Sequence, residues 1–337
     1  MLVSVIIPCR NETNYIAECV HAIYSSVNID FTTIEVIIVD GKSNDGTLQI
    51  IEQLQLQYSS LKLIENTLQL TPYAFNLGIN NSTGAYVQII GARQIVSPNY
   101  IASAVQTFVS NPNIWCVGGK VINVYETIDS ATIAAAMSSW FGVGRGNFRI
   151  LQQSAFVDTV GTPMYPRTVF SIIGLFDEAL IRNQDDDYNY RVTSAGGKIY
   201  LNAEMTIKYY VRASFKNLFK QYYQYGYWKV FVNTKHKTIT TLRQLVPALL
   251  VLYVLLGSLL ALFNTIICML FVIGLLVYLT TAVYAATKVK TNELQLIKII
   301  CSFFILHFSY GLGYIEGIIN FVVFRNKPKA NNTTLSR

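Results

Sequence analysis

IEVIIVDGKSNDGT, residues 34–47, is the stretch from which the fold is read. Ile34, Val36, Ile37, Ile38 and Val39 are apolar and β-branched. Such a run, with no polar alternation, reads as a strand buried on both faces, as in a parallel sheet. Asp40-Gly41 stops it abruptly. In an open α/β sheet, ligands gather just past the carboxyl ends of the strands, so Asp40 is placed to meet one. Ser43-Asn44-Asp45-Gly46-Thr47 then supplies a turn and several side chains able to cap a helix. A strand, a turn and a cap with no ligand would give the same letters.

The neighbouring segments repeat the pattern. Val3–Pro8, Leu61–Ile64 and Ala85–Ile90 read as strands, and Tyr15–Ser26, Thr47–Tyr58 and Thr71–Asn80 as the helices between them. This alternation predicts an α/β fold with a doubly wound, mostly parallel sheet. Further on, Pro98–Phe108 and Ala131–Trp140 read as helices and Trp115–Val124 as a strand broken at Gly118-Gly119. Phe141–Gly146 reads as a loop, Phe156–Val160 as a strand and Pro166–Ile173 as a helix. Asn183 can cap a helix over Gln184–Ala195, and Lys198–Leu201 and Ile207–Tyr210 read as edge strands.

Composition places the chain at a membrane. Of its 337 residues, 52% are hydrophobic and only 13% charged, where soluble proteins carry about 25%. The mean hydropathy is +0.36. From Gln244 to Thr287 there is no ionisable Asp, Glu, Lys, Arg or His. Leu245–Phe263 and Thr265–Ala286 are each long enough to span a bilayer. Ile299–Phe324 is a third apolar segment, interrupted by His307 and Glu316. If it crossed fully, Arg325, Lys327 and Lys329 would lie outside, against the positive-inside rule, so a re-entrant or partly flat segment fits as well. Met1 runs straight into the first strand, with no signal-peptide pattern. The five cysteines are scattered, which suits a reducing compartment and argues against a structural zinc site.

The net charge of +7 is uneven. Lys208, Arg212, Lys216, Lys220, Lys229, Lys235, Lys237 and Arg243 share one acid-free segment with many aromatics. That mixture suits nucleic acid or a membrane surface. Because it leads directly into apolar spans, an interfacial helix on an anionic leaflet is the reading taken, without nucleic acid. The expected divisions are 1–207 (catalytic), 208–243 (interfacial), 244–324 (membrane) and 325–337 (polar tail).

Several motifs together resemble a family 2 glycosyltransferase of the GT-A fold. They are VSVIIPCRNE (Val3–Glu12), VIIVDGKSNDGT (Val36–Thr47), AFNLGINNSTGAYV (Ala74–Val87), GLFDE (Gly174–Glu178) and NQDDDYNYR (Asn183–Arg191). FGVGRGNFR (Phe141–Arg149), VDTV (Val157–Val160) and QYYQYGYWK (Gln221–Lys229) narrow the likeness to membrane-bound, succinoglycan-type enzymes of exopolysaccharide synthesis. The resemblance implies an inverting hexosyl-type transfer from a nucleotide sugar, with UDP favoured, to a polyprenyl-diphosphate-linked saccharide. It implies a multi-pass enzyme of the inner or plasma membrane with its catalytic domain in the cytosol.

The resemblance also assigns residues. Pro8, Glu12 and Asp40 lie around the base and ribose, and Asn76 and Gly78 near the donor. Asp185 takes the general base position, where an inverting transfer needs a carboxylate to accept the acceptor hydroxyl's proton. Asp158, Asp187, Gln224 and Trp228 fall on the acceptor side. By position alone a solvated helix start is the better reading of Asp185-Asp186-Asp187, and an aromatic belt explains Trp228 equally well.

Three departures stand out. Gln184 replaces a usual Glu. Tyr227 replaces the Arg of the Gln-x-x-Arg-Trp pattern of processive synthases, which weakens a processive reading. Most relatives carry Asp-x-Asp or Asp-Ala-His after the fourth strand, where Mg²⁺ or Mn²⁺ is held; this chain has Gly91-Ala92-Arg93. Neither Gly91 nor Ala92 offers the oxygen ligands a hard cation needs. Arg93 suits phosphate oxygens instead. The expectation is a donor site with weak or no metal dependence, the cofactor being left open. A catalytically silent partner that binds sugar nucleotide or lipid in a glycan assembly complex is the alternative.

Overall fold

The computed structural model describes residues 2–144, 151–211, 214–240, 242–291 and 294–329. These fall into two units, Met1–Asn123 with Leu151–Tyr210, and Val124–Ile150 with Val211–Arg337. In chain order the elements are β1 (Val3–Cys9), α1 (Ile16–Tyr24), β2 (Ile34–Asp40), α2 (Thr47–Gln57), β3 (Leu61–Glu65), α3 (Thr71–Asn80) and β4 (Tyr86–Ile89). There follow β5 (Gln94–Val96), α4 (Tyr100–Ser110), β6 (Ile114–Val124), α5 (Ile128–Met137), α6 (Trp140–Val143), β7 (Ala155–Phe156), β8 (Gly161–Pro166) and α7 (Arg167–Ile173). Then come α8 (Gln184–Ser194), β9 (Lys198–Tyr210), α9 (Phe215–His236), α10 (Val246–Ala261), α11 (Thr265–Val289) and α12 (Leu296–Gly317).

The first unit is built on a nine-stranded sheet of order β3-β2-β1-β4-β8-β6-β9-β5, with β7 paired to β9. β2 is buried at every position, which explains its unbroken apolar run. It pairs in parallel with β1, Val5 opposite Val36 and Cys9 opposite Asp40. β3 and β4 continue the parallel half. The pairs β4–β8, β6–β8, β5–β9 and β7–β9 are antiparallel, so the sheet as a whole is mixed.

The amino ends of the parallel strands are tied by one acid. Buried Glu35 accepts hydrogen bonds from Ser4 Oγ at 2.8 Å and Thr83 N at 2.6 Å, and pairs with Lys62 Nζ at 2.9 Å. Burial works to raise this carboxyl, but Lys62, Thr83 and Ser4 outweigh it and bring it down to about 2. The charge is therefore kept where the β3–α3–β4 chain returns to the sheet.

Several elements differ from the sequence reading. β8 was not expected, because GTPMYP carries two prolines and Thr162 sits at φ +51°. The expected strand over 156–160 is reduced to the two-residue β7. β9 is one strand of 13 residues inside the sheet, where two edge strands were expected. β6 runs on through Gly118-Gly119, but its register against β8 shifts between Val117 and Gly119. A Cβ on Gly118 would lie 2.5 Å from the Gly161 carbonyl oxygen, and one on Gly119 2.4 Å from that of Met205, so glycine here permits close strand approach. The segment 124–150, expected in the catalytic part, groups with the C-terminal helices. α6 occupies part of the expected Phe141–Gly146 loop, whose last two residues lie outside those described.

Among the described residues, the second unit contains three helices long and apolar enough to cross a membrane: Leu242–Ala261, Thr265–Val289 and Leu296–Val323. α9 lies against α12 through glycines. A Cβ on Gly313 would meet the Tyr223 carbonyl oxygen at 1.9 Å, and one on Gly226 that of Tyr310 at 2.0 Å. α5 joins through Ala131, Ile133, Ala136 and Met137, which share a buried cluster with Ile299, Phe303 and Leu306 of α12.

Candidate active site

The carboxyl edge of the parallel strands gathers the first group of side chains. Asp40 ends β2 and is buried; its Oδ2 accepts from Ser43 N at 2.8 Å, and its Oδ1 from Ser43 Oγ. A carboxylate has about four acceptor positions, so capacity remains for a ligand N–H or hydroxyl. Pro8, in β1 opposite Val39, lies one register step before Cys9 and Asp40. The next residues are interlocked: Asn11 N donates to Ser43 Oγ at 2.8 Å, and Asn44 N to Asn11 Oδ1 at 2.9 Å. Asn11 at φ +54° and Lys42 at φ +57° are both left-handed, a cost that such cross-linking sustains. Burial works to raise the Asp45 carboxyl, but hydrogen bonds from Thr13 and Thr47 bring it down to about 2. Asp45 thus ties the β1–α1 loop to the start of α2.

Glu12 and Arg93 come together. Arg93 Nε lies 2.6 Å from Glu12 Oε2, and its guanidinium stands 5.0 Å above the Tyr15 ring. The turn before Arg93 is held by Gln94, whose Oε1 accepts from Gly91 N at 2.6 Å. Arg93 therefore sits on a braced tip rather than a free loop. The fit to a divalent cation is poor: Ala92 is buried, Gly91 has no side chain, and Glu12 faces a guanidinium. Among the described residues, no three His, Cys, Asp or Glu side chains gather to hold a metal.

Asn76 and Gly78 are placed differently. Buried Asn76 donates both amide hydrogens, to the Phe176 carbonyl at 2.9 Å and to Glu178 Oε1 at 2.8 Å, and accepts from Phe176 N at 3.0 Å. It clamps α3 to the GLFDE turn. A Cβ on Gly78 would lie 2.4 Å from Ile6 Cγ2, so this glycine lets α3 press onto β1.

The three acids at the start of α8 divide their work. Asp187 is buried and pairs with Arg191 at 3.0 Å, and Arg191 also donates to the carbonyls of Ile173 at 2.6 Å and Leu175 at 2.9 Å. Asp187 therefore serves the α7–α8 junction. Asp186 accepts from Asn183 Nδ2 at 2.9 Å. Asp185, on the same first turn, is exposed. Asp158 is exposed too, and the next residue, Thr159, accepts from Asn189 Nδ2 at 2.9 Å, which ties its loop to α8.

Sequence reading missed four buried oxygens. Gln88 Oε1, Thr162 Oγ1, Gln184 Oε1 and Asn189 Oδ1 have no hydrogen-bond partner among the described residues. Native proteins match such groups with water or a ligand. They sit on β4, β8 and α8, and only Gln184 had a sequence signal, as a departure from the expected Glu.

In the second unit, Gln224 and Trp228 lie on α9 and are buried. Trp228 packs edge-on to Phe231 with centroids 5.5 Å apart. It has no exposed surface, so stacking on a sugar would require it to leave this packing.

Comparison with known proteins settles the lineage. The family model described as glycosyl transferase family 2 matches residues 4–173. The chain belongs to this family. It is 32% identical over 233 residues to a Methanococcus voltae dolichyl N-acetyl-alpha-D-glucosaminyl phosphate 3-beta-D-2,3-diacetamido-2,3-dideoxy-beta-D-glucuronosyltransferase, covering 66% of this chain and 71% of that one. It is 26% identical over 262 residues to the succinoglycan biosynthesis protein ExoA of Rhizobium meliloti, covering 77% and 78%. Its fold resembles that of the mannosyltransferase PcManGT from Pyrobaculum calidifontis (TM-score 0.51, 19% identity, covering 69% of this chain and 63% of that one). It also resembles S. aureus TarS (TM-score 0.50, 18% identity, covering 69% and 65%). The chain thus spans less than two thirds of either solved structure. This family 2 member is a glycosyltransferase with a GT-A-like mixed sheet, and Asp40 stands at the carboxyl end of β2.

Proposed function

We propose that this glycosyltransferase inverts the anomeric centre as it moves a sugar from a UDP-sugar to a polyprenyl-diphosphate-linked saccharide. The reading is carried by the placement of Glu12, Asp40 and Arg93 along one strand edge. Asp40, with Pro8 beside it, receives the base and ribose. Arg93 keeps Glu12 on its Nε, turns its terminal nitrogens to the diphosphate and neutralises the charge that grows on the leaving group. No cation is needed for that step. The acceptor hydroxyl oxygen attacks the anomeric carbon, the bond from that carbon to the diphosphate oxygen breaks, and the nucleoside diphosphate leaves. The hydroxyl proton passes to Asp185.

The name of the Methanococcus voltae relative specifies a dolichyl-linked phosphate, which supports a lipid acceptor. ExoA supports a role in exopolysaccharide assembly. The apolar helices support residence in a membrane, and Lys288, Lys290 and Lys298, at and beyond the end of the second of them, favour a cytosolic catalytic unit by the positive-inside rule. A donor-turnover screen over nucleotide sugars, with lipid, in EDTA and in Mn²⁺, tests this. Turnover of a UDP-sugar that survives EDTA is expected. Activity that vanishes with EDTA and returns with Mn²⁺ would refute the role given to Arg93.

A further inference from the structure

We infer that α12 does not cross the bilayer. It lies in the interface beside α9, as a lipid-facing strut, and only α10 and α11 span. This rests on reading α10 and α11 as membrane helices; it does not depend on the transferase reaction.

Burial separates the three apolar helices. In their most apolar windows, 11% and 6% of the first two are buried by protein, against 44% of the third. α12 is covered by the first turns of α10, where Pro247 and Val251 meet Gly311, by the end of α11, where Ala282, Ala285 and Ala286 share a cluster with Ile299, Phe303 and Leu306, and by α9. α9 carries Lys216, Lys220, Lys229, Lys235 and His236, and among the described residues it is not one of the helices apolar enough to span. Yet α9 and α12 are locked side by side. Gly226 meets the backbone of Tyr310, Gly313 that of Tyr223, and Gly317 stands against Val230. Asn233 Nδ2 donates to Tyr314 Oη at 3.0 Å, and Phe321 packs on Tyr227 with centroids 4.7 Å apart. A crossing α12 would draw these lysines into hydrocarbon, which is costly.

Both ends of α12 are pinned by charge. Near its start, Lys298 Nζ pairs with Asp129 of α5 at 2.8 Å. Near its end, Glu316 accepts from Tyr223 Oη and pairs with Lys329 Nζ at 2.7 Å. Between them the chain passes through a π-helical turn, Ile318–Val323, and then doubles back. Arg325 at φ +53° makes the reversal. Asn326 N donates to the Asn320 carbonyl at 2.9 Å, Asn320 Nδ2 to the Lys327 carbonyl at 3.1 Å, and Lys329 N to Tyr227 Oη at 3.0 Å. The basic tail is thus returned to the flank of α9.

Charge decides the side. Lys288, Lys290 and Lys298 bracket the entry to α12, and Arg325, Lys327 and Lys329 follow it. A spanning α12 would place these two groups on opposite faces; an interfacial one keeps them on one face, as the positive-inside rule favours. The apolar stripe that remains uncovered includes Ile297, Leu312, Ile319 and Val322. That is the pattern of a helix seated at the headgroup–acyl boundary.

The test uses full-length protein in sealed vesicles of defined orientation, with Cys268→Ala and Cys301→Ala as background. One cysteine at a time is introduced, as Lys290→Cys, Phe263→Cys or Lys327→Cys, all at exposed positions, with the buried Cys9, Cys19 and Cys116 kept and the unsubstituted background as the labelling blank, and labelled with a membrane-impermeant maleimide. Positions 290 and 327 are expected to react from one face and position 263 from the other. Reaction of 327 from the face opposite 290 would overturn the inference. Reaction of 263 from the same face as 290 would overturn the two-span reading on which it rests. A tag added after Arg337, probed by protease in the same vesicles, reads the tail's side without any change in α12.

Discussion

Asn76 donates both its amide hydrogens into the GLFDE turn, and that use sets its expected phenotype. Asn76→Ala should lower stability by about 2 kcal/mol, since it strands the buried Phe176 N–H and carbonyl. The Km for donor in the folded fraction should stay near wild type; a large rise in Km with an unchanged Tm would show donor contact instead. Glu35 gives a pH-dependent case. Its carboxyl lies at about 2 in the folded chain, against about 4.3 unfolded. Its contribution is therefore complete above about pH 5 and drains away as the pH falls toward 2. The Tm gap between wild type and Glu35→Gln in detergent should hold from pH 6 to about pH 5 and narrow from there to pH 3; a constant gap throughout would count against this. Residue identity alone could not distinguish such anchors from ligand contacts. Asn76 and Asp187 sit inside family motifs, yet each is buried and committed to backbone or to Arg191.

At the scale of elements, the parallel half was legible because each of β1, β2 and β4 is an apolar run ending in a polar turn. The antiparallel half was not, and the reason is chemical. β8 carries prolines and a left-handed Thr162, and β6 carries a glycine pair, so local propensity argues against both strands. Close approach of neighbouring backbones overrides it there. α9 shows the same limit: its lysines and tyrosines read as a surface helix, while its middle, from Gly226 to Val230, is buried. Glycine contacts make this pair sensitive to volume. Gly313→Ala should cost about 3 kcal/mol, because the added carbon meets Tyr223 backbone and overpacking of this kind has few escapes. Thermal unfolding in detergent checks it; a Tm within a degree or two of wild type would mean that α9 and α12 separate easily.

For the molecule as a whole, the strand-edge carboxylates were visible from sequence, as was the departure at Gly91-Ala92-Arg93. What was not visible is that Arg93 is already paired with Glu12 and braced over Tyr15. An arginine held in place loses less freedom on meeting a diphosphate, which favours its use as a fixed charge. Arg93→Ala should therefore raise the Km for donor at least about tenfold, at a loss of about 1.4 kcal/mol or more of binding, and Mn²⁺ should not restore it. Restoration by Mn²⁺ would place a cation site elsewhere. The most direct measurement is transfer by Asp185→Asn alongside its nucleotide binding by calorimetry. The residue is exposed, so the fold should hold. Nucleotide affinity is predicted to match wild type while transfer falls by about a hundredfold or more, the share a positioned base supplies; transfer at the wild-type rate would contradict the account.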